Sequence, residues 1–228
     1  FAAPRTRWSA AMDDGLALAL AGEPMRLLAD RALYWPARRR LLVADLHLGK
    51  ADTFRAAGIA LPSGGTALDL GRLATLARST GATSAWILGD VLHGRSDLRA
   101  WRRAWQGFRE ATPALEIAVV DGNHDRALAG AGLDLALLGD AVEEGPFLLR
   151  HAPARDPHRH VLCGHLHPVL KLPGLARAPA FWLRRDCTVL PAFSAFTGGT
   201  PIRLAAGEAA VACNGEALVE VRRATSPG

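Results

Sequence analysis

The chain has 228 residues, 50% of them hydrophobic and 21% charged, which is enough for a full core at an ordinary globular balance. No apolar stretch approaches the roughly 20 residues needed to span a bilayer, and no basic, apolar and cleavage regions open the chain, so neither membrane insertion nor secretion is expected. The net charge is +5 and the pI ≈ 9.8, with Lys50 and Lys171 the only lysines; a basic, arginine-rich balance suits a polyanionic partner.

In chain order, residues 16–21, 26–28 and 32–35 read as short strands, followed by a basic turn at 38–40. A buried strand at 41–44 ends at Asp45-Leu46-His47. Residues 66–79 place Leu70, Leu73, Ala74 and Ala77 on one helical face. A strand at 85–88 ends at Gly89-Asp90. Ser96 is the expected N-cap of a helix to about residue 111. Leu98, Trp101, Trp105 and Phe108 share helical spacing there and read as core rather than as a stacking platform, while Arg99, Arg102, Arg103 and Arg109 fall largely on the other faces. Strands at 115–120, 147–150 and 161–163 deliver Gly122-Asn123-His124-Asp125, His151 and Gly164-His165-Leu166-His167. Beyond Pro168 only strands and turns are expected, with Asn214-Gly215 marking a hairpin and a frayed tail over about 222–228. No linker or repeat interrupts the chain, so one domain over 1–228 is expected. Cys163, Cys187 and Cys213, odd in number and without CxxC spacing, read as reduced thiols of a cytosolic protein.

Five blocks therefore follow apolar runs, at the strand ends where open α/β sheets build their sites. Asp45, Asp90, Asn123, His47, His151, His165 and His167 form a mixed oxygen and nitrogen set. Such a set suits Mn, Fe or Zn rather than Ca. There are ligands for two ions, and two ions sharing a carboxylate make a phosphoryl-transfer site. His158 and His160 compete with His151, but they lie in a charged stretch that reads as a solvated loop.

The blocks D-x-H, G-D, G-N-H-D, H and G-H-x-H, in this order from Asp45 to His167, resemble the calcineurin-like metallophosphoesterases. That resemblance implies an α/β fold, a four-layer sandwich of two packed mixed β-sheets flanked by helices. It implies that Asp45, His47 and His167 hold one divalent ion, that Asn123, His151 and His165 hold a second, and that Asp90 bridges them. His124 would protonate the leaving oxygen, with Asp125 fixing its tautomer.

Two further stretches narrow the match. One runs from Ala44-Asp45-Leu46-His47-Leu48-Gly49-Lys50 through Phe54-Arg55-Ala56-Ala57-Gly58 to Leu61-Pro62-Ser63-Gly64-Gly65-Thr66; the other is residues 190–199. Both are similar to the bacterial ligase-associated DNA-damage-response endonucleases of the PdeM type. The similarity implies a bacterial cytoplasmic nuclease or phosphodiesterase using Mn²⁺, with Fe or Zn as other options. It further implies single-stranded or damaged DNA as substrate and repair ligase, helicase and nuclease proteins as partners. Lys50, Phe54 and Arg55 follow the first ligand block, where phosphate and base would be met, unless Phe54 packs under the loop; His93, three residues after Asp90, bonds a ligand or phosphate or is an ordinary loop histidine. Ser194, Thr197, Gly198 and Gly199 offer amides to a phosphate, or else form a strand corner capped by Phe193 and Phe196. The competing functions are a small-substrate phosphatase or cyclic-nucleotide phosphodiesterase with the same metals, and a metal-free scaffold. A scaffold is expected to lose ligands, and here every position is filled.

Overall fold

The computed structural model describes residues 5–9, 15–60, 63–93, 99–123, 125, 128–171 and 177–224. Ser96, Leu98, the general-acid candidate His124 and residues 225–228 of the expected tail lie outside them. Strand β1 (Arg5–Ser9) belongs to the second of two sheets. Among the described residues the first sheet takes seven strands in sequence order: β2 (Leu16–Leu20), β3 (Glu23–Leu28), β4 (Ala32–Trp35), β5 (Arg40–Val43), β6 (Ser84–Leu88), β7 (Glu116–Val120) and β8 (Ala136–Leu137). From β2 to β5 the pairing is antiparallel; from β5 to β8 it is parallel. The parallel crossovers carry α1 (Lys50–Ala56), α2 (Gly65–Thr80) and α3 (Arg99–Ala111).

Among the described residues the second sheet has ten strands. After β1 it adds β9 (Ala141–Glu144), β10 (Phe147–Arg150), β11 (His160–Cys163), β12 (Pro168–Lys171), β13 (Arg177–Leu183), β14 (Cys187–Val189), β15 (Thr200–Pro201), β16 (Ala209–Cys213) and β17 (Leu218–Arg222). Its main order is β1-β17-β16-β13-β14-β11-β10-β9, and β10, β11 and β14 run parallel.

Alternation along β5 shows why its run is continuously apolar. Leu41 and Val43 join the core beneath the helices, with Leu70, Leu73, Trp101, Trp105 and Phe108. Leu42 and Ala44 point the other way, into a core between the sheets that includes Phe147, Leu149, Phe181 and Val211. A parallel strand covered on both faces needs apolar residues in both registers. The helical layer is one-sided among the described residues: α2 and α3 cover the first sheet, while the second sheet's outer face carries two small clusters around Leu170 and Cys163.

Trp101, Trp105 and Phe108 are buried at 3%, 3% and 5% exposure, so they form core and not a stacking surface. Two arginines of α3 are tied to their own chain, Arg102 donating to the Ala131 carbonyl and Arg109 pairing with Asp134 at 2.9 Å. Asn214 turns the β16–β17 hairpin, its Oδ1 accepting from the amides of Glu216 and Ala217 at 2.9 and 2.8 Å. Of the expected tail, Arg222 ends β17 and Arg223 exchanges main-chain hydrogen bonds with Gly207 and Glu208, while residues 225–228 lie outside the described residues. Short α1 was not foreseen, because seven residues after a ligand block show too little periodicity to betray a helix.

Candidate metal centre

All five blocks leave the carboxyl ends of parallel strands: Asp45 and His47 after β5, Asp90 after β6, Asn123 after β7, His151 after β10, His165 and His167 after β11. Packing the sheets face to face brings these ends together. Two clusters result, Asp45 with His47 and His167, and Asp90 with His151 and His165. Each draws on both sheets.

The backbone makes the approach possible at a cost. Asp45, His47, Asp90, His165 and His167 all have positive φ, between 45° and 69°. Non-glycine residues held there cost on the order of 1–3 kcal/mol each and persist where surroundings over-determine them. Here the hold is visible: Asp45 N donates to the Gly89 carbonyl, and His47 N to the Asp90 carbonyl at 2.8 Å. The motif glycines are close-approach positions. A Cβ at Gly122 would press into Asp90, one at Gly164 into Ala44 and Asp45, and one at Gly89 into His151.

Ligand spacing supports shared cations. Two atoms each about 2.1 Å from one ion stand about 3.0 Å apart at octahedral angles and about 3.4 Å apart at tetrahedral ones. In the first cluster His47 Nε2 lies 3.4 Å from His167 Nε2, which lies 3.3 Å from Asp45 Oδ1. In the second, His151 Nε2 lies 3.0 Å from His165 Nδ1 and 3.5 Å from Asp90 Oδ1. Among the described residues Asp45 Oδ1 is buried and accepts no hydrogen bond, while its Oδ2 accepts from the His165 amide at 3.0 Å. A buried carboxylate oxygen left this way is costly unless a cation meets it.

The tautomers agree. His151 Nδ1 lies 3.0 Å from the Leu88 carbonyl, so it carries the proton and leaves the Nε2 lone pair facing Asp90 and His165. Burial and the neighbouring His151 push the His165 pKa below the ordinary histidine value, favouring the neutral ring a metal requires. Asn123 is exposed, with Nδ2 3.5 Å from His165 Nδ1. Turning the amide about χ2 presents its oxygen there instead. His158 is exposed, and His160 bonds Thr188 Oγ1 at 2.8 Å, so neither joins a cluster.

Asp125 is buried and its carboxylate accepts from three amides, those of Gly122, Val91 and Leu92, which ties the third block to the second. Burial raises its pKa in spite of those bonds. The rings of His47, His93 and Phe54 form a file, with centroids 5.7 and 5.9 Å apart, leading away from the first cluster. Lys50 is half-buried and donates to Thr197 Oγ1 at 3.2 Å. Burial lowers its pKa against the pull of Asp45 and Asp90. Arg55 pairs with Asp52 within α1.

Residues 190–199 are less available than a loose phosphate loop. The amides of Phe193 and Ser194 donate to the Ala44 and Asp45 carbonyls, and that of Ala195 donates to Asp69 at 3.1 Å. Phe193 is fully buried and Phe196 packs on Gly65, the strand-corner arrangement. Asp69 and Arg72, which organise this corner, went unnoticed in the sequence because an acid and a base three apart on a helix usually mean a solvated pair.

No protein-family model matches the chain, and a search of curated proteins finds no relative. Among solved structures it is similar to the Pseudomonas putida nuclease MPE, with 36% identity over 89% of this chain and 98% of that one, and a TM-score of 0.78. The chain belongs to the metallophosphoesterases of the PdeM and MPE type. It is a metal-dependent phosphoesterase. The Escherichia coli phosphoesterase Yfce, 20% identical over 78% of this chain and 95% of its own, aligns with a TM-score of 0.46, too loosely to carry weight. In this metallophosphoesterase no helix among the described residues is long and apolar enough to cross a membrane.

Proposed function

We propose that the protein is a nuclease hydrolysing DNA phosphodiester bonds with two Mn²⁺ ions, on single-stranded or damaged DNA and in company with repair ligase, helicase and nuclease proteins. The observation that carries the reading is the pair of adjoining clusters whose ligand atoms stand 3.0 to 3.5 Å apart. Asp45, His47 and His167 hold one ion; Asn123, His151 and His165 hold the other; Asp90 serves both. When bound, the ions activate a water and neutralise charge on the phosphoryl oxygens. His124 delivers the proton that the departing sugar oxygen needs, with Asp125 fixing its tautomer. Lys50 meets a neighbouring phosphate, Arg55 a second, and the file of Phe54 and His93 takes a base face.

The similarity to a nuclease and the +5 charge support DNA over a small ester. The test is an assay with MnCl₂ on a single-stranded oligonucleotide and on bis-p-nitrophenyl phosphate. Cleavage of both, with oligonucleotide kcat/KM the higher, is expected. Turnover of the aryl ester alone assigns a small-substrate phosphodiesterase instead, and turnover of neither removes the enzymatic reading.

A further inference from the structure

Asp69 lies on α2, is 2% exposed, and belongs to none of the ligand blocks. Its carboxylate accepts from the Ala195 amide at 3.1 and 3.2 Å, from Arg72 at 3.0 Å, and from the Ser194 hydroxyl. Arg72 also donates to the carbonyls of Phe193 and Asp30, and its guanidinium stacks on the Phe193 ring at 4.3 Å. Arg31, in the β3–β4 turn, donates to the Ser194 carbonyl at 2.9 Å. One edge of residues 192–195 is thus gripped by three buried or half-buried charged side chains.

The opposite edge of the same strap meets the candidate metal centre. Phe193 N donates to the Ala44 carbonyl at 2.8 Å and Ser194 N to the Asp45 carbonyl at 3.3 Å. Further along, Thr197 receives Lys50. A buried charged network that satisfies its partners through main-chain groups fixes those groups in register. What it fixes here is the peptide of Asp45, a residue at φ 55° with one carboxylate oxygen aimed at the ligands.

We propose that Asp69, with Arg72 and Arg31, is a positioning network for the ion held by Asp45, His47 and His167, acting through the strap of residues 192–197. The inference rests on the reading of Asp45 as a metal ligand. Outer groups that orient ligands typically govern 10- to 100-fold in metal affinity.

The test titrates the whole purified protein with MnCl₂ by calorimetry, with near-ultraviolet circular dichroism as the check of folding. The wild type takes up two ions. Asp69→Ala is expected to bind one of them about 10- to 100-fold more weakly and the other as before. Asp69→Asn, which keeps an acceptor for Ala195, recovers most of the loss. Glu208→Gln is the control, because Glu208 likewise joins Arg184, Trp182 and a main-chain amide but on the second sheet; it keeps both affinities. Wild-type affinity at both ions in Asp69→Ala overturns the proposal, as does an equal loss in Glu208→Gln. Where Asp69→Ala fails to fold, Ser194→Ala decides: a selective drop at one ion supports the network, and none overturns it. A wild type that takes up no Mn²⁺ overturns the metal-site reading itself, and the network's role falls with it.

Discussion

At the scale of single residues the centre is a set of side chains whose backbones are individually unfavourable. Five candidate ligands occupy positive φ, so their placement is imposed by neighbours and not by local preference. Asp90 belongs to the cluster of His151 and His165, and its proposed role is to serve both ions. Asp90→Ala is expected to leave at most one ion per chain and no detectable turnover, read by metal analysis of the purified protein alongside an activity assay; two retained ions count against its shared role. His47→Ala likewise abolishes turnover. His124→Ala is expected to keep both ions and to slow DNA cleavage by about 10²- to 10⁴-fold, the usual worth of a general acid. An activated aryl ester, whose leaving group needs little protonation, loses much less, and equal losses on both substrates remove His124 from that role.

Among elements, α2 and α3 bury their apolar faces in the core behind the first sheet. Trp105 on α3 is 3% exposed, inside the core with Phe108 and Leu115. Trp105→Ala is expected to cost about 3–5 kcal/mol, measured as a shift in urea unfolding, with Mn²⁺ stoichiometry unchanged in the folded fraction. Element types were legible because parallel strands buried on two faces leave apolar runs, and α2 and α3 repeat at helical spacing. The ligand blocks were legible for a related reason: each sits directly after such a run. What escaped is non-local. The grip of Asp69 and Arg72 on residues 193–195 spans more than a hundred residues of sequence, and no periodicity reports it. The arginines of α3 likewise gave no sign that the Ala131 carbonyl and Asp134 occupy them.

For the molecule as a whole, charge is the property that separates the substrate classes. A strand of DNA meets cations beyond the metal centre, and each neutralised phosphate adds about 0.7 to the slope of log affinity against log salt for a single strand. Oligonucleotide binding is expected to weaken steeply with salt, whereas a small phosphodiester held at the metals shows a flatter dependence. Replacing Lys50 and Arg55 together with alanine should reduce the oligonucleotide slope by up to about 1.4 and spare turnover of the small ester. Coinciding slopes for the two substrates move the assignment to a small-molecule enzyme.

Each candidate cluster takes side chains from both sheets, with Asp45, His47 and Asp90 on one side and His151, His165 and His167 on the other. Neither half, translated alone, can hold an ion as the whole does. Cation uptake is therefore a clock for assembly. In a refolding experiment begun with Mn²⁺ present, secondary structure should recover before any ion is captured, and capture should coincide with burial of the apolar seam that contains Trp35 and Phe147. Stopped-flow fluorescence against metal uptake reads that order directly, and capture ahead of seam burial would mean that the ligands gather before the sheets meet.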